Sequence, residues 1–145
     1  MSGIYIHIPF CRQACHYCNF HFSTSLRYKN ELITSLLKET DLQFENFQDE
    51  TIGTIYLGGG TPSLCSAEEI SRILDKLRSR FLITADAEIT LEANPDDIHQ
   101  QKLEGWREAG INRLSIGIQS FFEEDLRWMN RAHSATQAIE NLRLA

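Results

Sequence analysis

Short β-branched runs alternate with longer amphipathic stretches along this chain, and that alternation restricts its fold more than any other feature. Ile4 to Ile8 reads as a strand that stops at Pro9, with Tyr5 and His7 on one face and Ile4, Ile6 and Ile8 on the other. A cysteine-bearing loop follows. From about Leu26 a helical stretch carries Leu32, Ile33, Leu36 and Leu37 at three-and-four spacing, and Thr54-Ile55-Tyr56-Leu57 predicts a second strand, closed by Gly58-Gly59-Gly60. Ser66 with Glu69 makes a capping box for a helix whose Ile70, Ile73, Leu74 and Leu77 form one apolar stripe. Glu88 to Leu91 is a third strand, and Leu103, Trp106 and Ala109 belong to a helix stopped by Gly110. Arg113 to Ile118 is a fourth strand, and Ser134 with Gln137 caps a last helix that runs to Ala145.

About four βα units of roughly 30 to 40 residues imply an α/β fold with a parallel sheet and right-handed crossovers. A length of 145 residues suits one domain. The fourth strand is apolar enough to be central, yet no further strand follows to pair with its far edge. The expectation is therefore a partial (βα) barrel, with residues 1–145 as the amino-terminal part of a single barrel domain. Such a chain should be poorly soluble or oligomeric by itself.

Composition excludes several classes. With 20 acidic and 14 basic side chains the net charge is −6, which leaves no cationic excess to neutralise a nucleic-acid backbone. No apolar run approaches the roughly 20 residues of a membrane span, and the start carries no charged n-region or cleavage site. A cytoplasmic protein, not an integral membrane one, is the expectation.

Three of the four cysteines fall within eight residues, as Cys11-Arg12-Gln13-Ala14-Cys15-His16-Tyr17-Cys18. Clustering of this kind reads as metal binding in a reducing compartment. A [4Fe-4S] cubane takes thiolate ligands, so three cysteines leave one iron open. An open iron can chelate the amino and carboxylate groups of S-adenosylmethionine, whose reductive cleavage gives methionine and a 5′-deoxyadenosyl radical. The competing reading is a Cys3His zinc site completed by His16 or His21, although the spacing departs from the paired knuckles of zinc ribbons. Cys65 stands apart at a helix start and reads as a small buried hydrophobe.

The C-x3-C-x2-C spacing resembles the signature of the radical S-adenosylmethionine superfamily. The wider string Tyr5-Ile6-His7-Ile8-Pro9-Phe10-Cys11, with Gly58-Gly59-Gly60-Thr61-Pro62 and Leu114-Ser115-Ile116-Gly117-Ile118-Gln119-Ser120-Phe121, resembles the oxygen-independent coproporphyrinogen III oxidase family. The resemblance runs over essentially the whole chain. It implies that Cys11, Cys15 and Cys18 ligate the cluster and that Glu92 hydrogen-bonds the ribose of S-adenosylmethionine. It also places Gln119 and Arg131 against the ribose or methionine portion, with Tyr5, Gly59, Gly60 and Thr61 around the cofactor. Independently of the family, ligands of parallel sheets gather at the carboxyl ends of the strands, where both the cysteine loop and the glycine run fall. Tyr17 and Phe20 bracket Cys18, either shielding the cluster, stacking on adenine, or simply packing the loop. His7 reads as the holder of a structural hydrogen bond.

Decarboxylases of the family typically carry another cysteine two residues after the third ligand and a longer segment before the first strand. Here that position is Phe20 and the strand begins almost at Met1, which resembles the HemW-type heme chaperones instead, although Asp is commoner there than Asn19. The leading expectation is a heme chaperone-like protein that receives electrons from a donor, binds heme in its full-length form and passes it to an acceptor protein. The alternative is a coproporphyrinogen III oxidase, in which the radical abstracts hydrogen from a propionate side chain and decarboxylation follows.

Overall fold

Four strands pair in sequence order, all parallel, which requires each connection to return over the sheet. The structure, a computed structural model, describes residues 2–46 and 51–145. The elements are β1 (Ser2–Ile8), α1 (Lys29–Phe44), β2 (Thr51–Gly59), α2 (Ala67–Arg80), β3 (Leu82–Ala93), α3 (Gln100–Ala109), β4 (Arg113–Ile116), α4 (Glu123–Trp128) and α5 (Ala135–Leu144). Short 3₁₀ turns at Pro62–Leu64 and Pro95–Asp97 follow β2 and β3.

The register sorts the sheet into chemically distinct rows. Ile6 lies opposite Leu57, Leu57 opposite Leu91, and Leu91 opposite Leu114. One residue earlier in β1, Tyr5 lies opposite Tyr56, Tyr56 opposite Thr90, and Thr90 opposite Arg113. Successive side chains point to opposite faces, so the apolar row meets the helices and the polar row faces away from them. The apolar face packs with Ile33 of α1, the Ile70, Ile73, Leu74 and Leu77 stripe of α2, and Trp106 of α3. Each such aliphatic side chain contributes about 1.5–3 kcal/mol by leaving water.

The expected punctuation is present. Ser66 Oγ accepts from the Glu69 amide at 3.1 Å while Glu69 Oε2 accepts from the Ser66 amide at 2.8 Å, closing the capping box of α2. Gly110 ends α3 at φ 107, a conformation that costs glycine nothing. Ser134 Oγ accepts from the Gln137 amide at 3.1 Å and caps α5.

Several boundaries depart from the sequence reading: β1 starts at Ser2 rather than Ile4, β2 runs Thr51–Gly59 rather than Thr54–Leu57 and takes in two of the glycines, and β3 ends at Ala93 rather than Leu91. β3 begins at Leu82 rather than Glu88, because its register against β2 jumps from Ile52–Ile83 to Thr54–Glu88 and the intervening residues interrupt the alternation. β4 ends at Ile116 rather than Ile118. There the Ile118 amide turns back to Ile116 O at 3.0 Å, the Ser120 amide to Ile118 O at 2.9 Å, and Gln119 takes φ 69. The first helix starts at Lys29, not Leu26. The six-residue α4 has no counterpart in the sequence reading, since Leu126 is its one buried residue and a single position makes no period.

Candidate functional site

The cysteine loop leaves the carboxyl end of β1 and is fastened at three places. Gly60 donates its amide to Ile8 O at 2.9 Å and Thr61 to Phe10 O at 2.6 Å, so the segment after β2 pairs with the root of the loop. A Cβ on Gly60 would stand 2.6 Å from Phe10 O, and one on Gly59, at φ 112, 2.5 Å from His7 Nδ1. The glycine run is therefore required by the protein's own backbone and by the His7 ring. The second fastening is ionic: Arg12 Nη2 lies 2.6 Å from Asp97 Oδ1, and the buried Asp97 also accepts from Ser63 Oγ at 2.7 Å. The third joins residues 13–16 to the segment between α4 and α5, where Asn130 Nδ2 donates to Ala14 O at 2.7 Å.

These fastenings shape a cavity of about 370 Å³ at the carboxyl ends of the strands, within the range of small-ligand sites. Cys11, Cys15 and Cys18 line it together with Tyr17, Gly59, Gly60, Thr61, Glu92, Gln119 and Arg131, as does Phe20. Tyr5 is the exception among the expected residues. Its hydroxyl is hydrogen-bonded to His7 Nδ1 at 3.0 Å and its ring stacks on Tyr56, with centroids 6.1 Å apart.

Glu92 is held on both oxygens: Tyr56 OH donates to Oε1 at 2.7 Å and the Gly59 amide to Oε2 at 3.0 Å. Arg131 reaches across the cavity rim. Its Nη2 donates to Asn94 Oδ1 and to Gly117 O, both at 2.7 Å, and its Nη1 lies 3.2 Å from Tyr17 OH and 3.4 Å from Cys15 Sγ. The Nε of Arg131 is buried without an acceptor. Burial pushes the Cys11 thiol up, with the Thr61 hydroxyl and the Arg131 charge pulling the other way. Cys65 is 1 % exposed, and burial pushes its thiol up to about 11, as suits a structural cysteine.

Several contributors were not singled out from the sequence. Asn94 takes Arg131 on its carbonyl and donates to Thr61 Oγ1 at 3.3 Å. Tyr56 orients Glu92, and Asp97 anchors Arg12. The first two sit one strand-period from residues that were singled out, a signal that alternation alone could have supplied; Asp97 carries none.

The donor set fits an iron–sulfur cluster with a bound amino acid-like group. Three thiols border one cavity, a partly unsatisfied guanidinium faces them, and glycine backbone lines the space between. Among the described residues no His, Cys, Asp or Glu trio is grouped closely enough to mark a single-ion site. A cubane spreads its thiolates over separate irons. His16 Nδ1 donates to Trp128 O at 2.7 Å, which leaves Nε2 uncommitted.

A βα sheet with three clustered thiols at its carboxyl edge defines a class, and the profile described as the Radical SAM superfamily matches residues 5–145. The chain belongs to that superfamily, membership of which implies a [4Fe-4S] cluster and S-adenosylmethionine. Among particular proteins it is similar to the heme chaperone HemW of Escherichia coli strain K12, at 41% identity over 146 residues, covering 99% of this chain and 38% of that protein. The HemW of Haemophilus influenzae is 38% identical over 149 residues, covering 99% and 39%. Of solved structures, the E. coli coproporphyrinogen III oxidase HemN, a radical SAM enzyme, matches with a TM-score of 0.88 at 32% identity, over 99% of this chain and 33% of that one. Elp3 of Methanocaldococcus infernus, with a TM-score of 0.59 at 17% identity, covers 96% of this chain and 34% of that one and shares the fold alone. The chain thus spans 38–39% of the length of these curated relatives.

Proposed function

We propose that residues 1–145 form the amino-terminal part of a single radical SAM barrel domain in a cytoplasmic heme chaperone-like protein. Cys11, Cys15 and Cys18 would hold the [4Fe-4S] cluster, whose open iron would take S-adenosylmethionine. The observation that carries this reading is the shared wall: the three thiols, Glu92, Gln119 and Arg131 border one cavity. When bound, cluster and S-adenosylmethionine supply one-electron cleavage of a carbon–sulfur bond, fed by an electron donor protein. The chain's own residues bind and orient. Arg131 directs a guanidinium at the methionine carboxylate. Glu92, held by Tyr56 and Gly59, presents a carboxylate to the ribose hydroxyls, and Gln119 turns its amide to the same rim. Gly59, Gly60 and Thr61 line the wall around the cofactor, and Tyr17 lines it beside Cys18.

Heme is the cargo of the full-length protein, passed to an acceptor protein. Greater identity to HemW than to HemN and Phe20 two residues after Cys18 support this over porphyrinogen decarboxylation. Neither nucleic acid nor a membrane span enters the reading: the charge is −6, and no described helix is long and apolar enough to cross a bilayer. The test is anaerobic reconstitution of the full-length protein, followed by heme titration and a porphyrinogen turnover assay under reducing conditions. Heme binding without turnover is expected; decarboxylation would establish the coproporphyrinogen oxidase reading, which the HemN likeness favours. Absence of a broad charge-transfer band after reconstitution would exclude both.

A further inference from the structure

The segment joining α4 to α5 holds the flanks of one cysteine from both sides. Asn130 Nδ2 donates to Ala14 O at 2.7 Å, and Asn130 O accepts from Gln13 Nε2 at 2.6 Å. On the other flank the His16 amide donates to Met129 O at 3.1 Å and His16 Nδ1 to Trp128 O at 2.7 Å. Cys15 stands between these pairs.

Two features make the contact specific. Asn130 adopts φ 56, where a side chain other than Asn, Asp or Gly is disfavoured, and this conformation presents its amide and carbonyl to the loop together. Behind it the Asn130 amide donates to Arg127 O at 3.1 Å and the Arg131 amide to Leu126 O at 2.9 Å, while Leu126 is 1 % exposed. The segment is therefore hung from a buried anchor, not from the loop it holds.

We propose that residues 128–130 form a clasp that fixes Cys15 before the cluster is inserted, with Asn130 as the positioning residue. The proposal rests on the cluster reading above. A cubane accepts its thiolates only at set separations, and ordering a loop costs backbone entropy at every residue that is fixed. A clasp that orders residues 13–16 in advance removes that cost from cluster binding and slows cluster loss.

The experiment compares the full-length parent protein with its Asn130→Gly variant, which keeps the backbone conformation and deletes the amide, and its Asn130→Asp variant, which keeps the shape but cannot donate to Ala14 O. Hydrogen exchange of the apoproteins reports the clasp without any cluster; iron release to a chelator after anaerobic reconstitution reports its effect on the site. Faster exchange confined to residues 11–18, and iron release about five- to tenfold faster in both variants, is expected for the loss of one hydrogen bond. Electron paramagnetic resonance of the reduced cluster should shift as well, which a remote structural role would not cause. A parent that takes up no cluster overturns the reading on which the proposal rests. Parent uptake with unchanged iron release in both variants overturns the clasp alone.

Discussion

Arg131 touches the cysteine loop directly: its Nη1 lies 3.4 Å from Cys15 Sγ, while Nη2 is fixed on Asn94 and Gly117. The fork thereby measures the distance between the loop and the ends of β3 and β4. Lysine at this position would present one point charge on a flexible stem. Arg131→Lys should keep its iron but bind S-adenosylmethionine about 10- to 100-fold more weakly, the range for one charged hydrogen bond. Equilibrium dialysis of the reconstituted protein gives the answer, and equal affinity would remove Arg131 from the cofactor site.

Glu92 and Tyr56 separate orientation from contact. In Glu92→Gln the amide can accept only on its oxygen, and the charge offered to a ribose is gone; affinity for S-adenosylmethionine should fall about tenfold. Tyr56→Phe removes only the donor to Oε1 and should cost about 1 kcal/mol of stability, with affinity changed by less than about threefold. Matching losses in the two variants would contradict the division of roles. Thermal unfolding and dialysis together make the measurement.

Cys65 predicts both a labelling pattern and a pH dependence. With its thiol at about 11, roughly one molecule in a thousand is thiolate at pH 8, so iodoacetamide should modify Cys11, Cys15 and Cys18 of the apoprotein and spare Cys65. The folded value lies above the ordinary 9.0, so the neutral thiol stabilises the fold below pH 9 and that contribution fades as pH rises from 9 to 11. A shift of this size corresponds to about 2–3 kcal/mol. Urea unfolding should therefore show a shallower alkaline decline for Cys65→Ala than for the parent. Peptide mapping that finds Cys65 labelled as fast as Cys18 would sink the assignment.

His133 gives the acid-side counterpart. Its Nε2 donates to Ile118 O at 3.0 Å, which makes Nδ1 the bare nitrogen, and that atom is buried without a partner. Burial lowers its proton affinity below the ordinary 6.5. The neutral ring is favoured by folding, so its contribution is full above pH 6.5 and is lost as pH falls through the lowered value. The difference in unfolding free energy between parent and His133→Gln should shrink from pH 7.5 to pH 5.0; a constant difference would show that the ring does not titrate with folding.

The strand and helix order was legible because the elements that bear the core announce it. Ile70 through Leu77 repeat at helical spacing, and Ser66 and Gly110 punctuate locally. The cavity wall was legible at strand ends, where Glu92 and Gln119 follow directly from the motifs. What escaped reading depends on long-range pairing. The Asn130–Ala14 contact joins positions 116 residues apart, and the early start of β3 is set by its register on β2. Family likeness places Tyr5 at the cofactor; on β1 its hydroxyl meets His7 and its ring meets Tyr56, outside the residues that line the cavity.

The two rows of the sheet divide the strands into residues that support and residues that present. Leu57, Leu91 and Leu114 cannot change without opening the packing beneath them, whereas the exposed Tyr5 and Arg113 on the opposite face can be exchanged at the cost of surface contacts alone. A single scaffold of this kind can therefore drift from one cargo or substrate to another through every second residue, leaving its folding intact. Likeness to both a heme chaperone and a porphyrinogen oxidase is what such half-periodic freedom would leave behind.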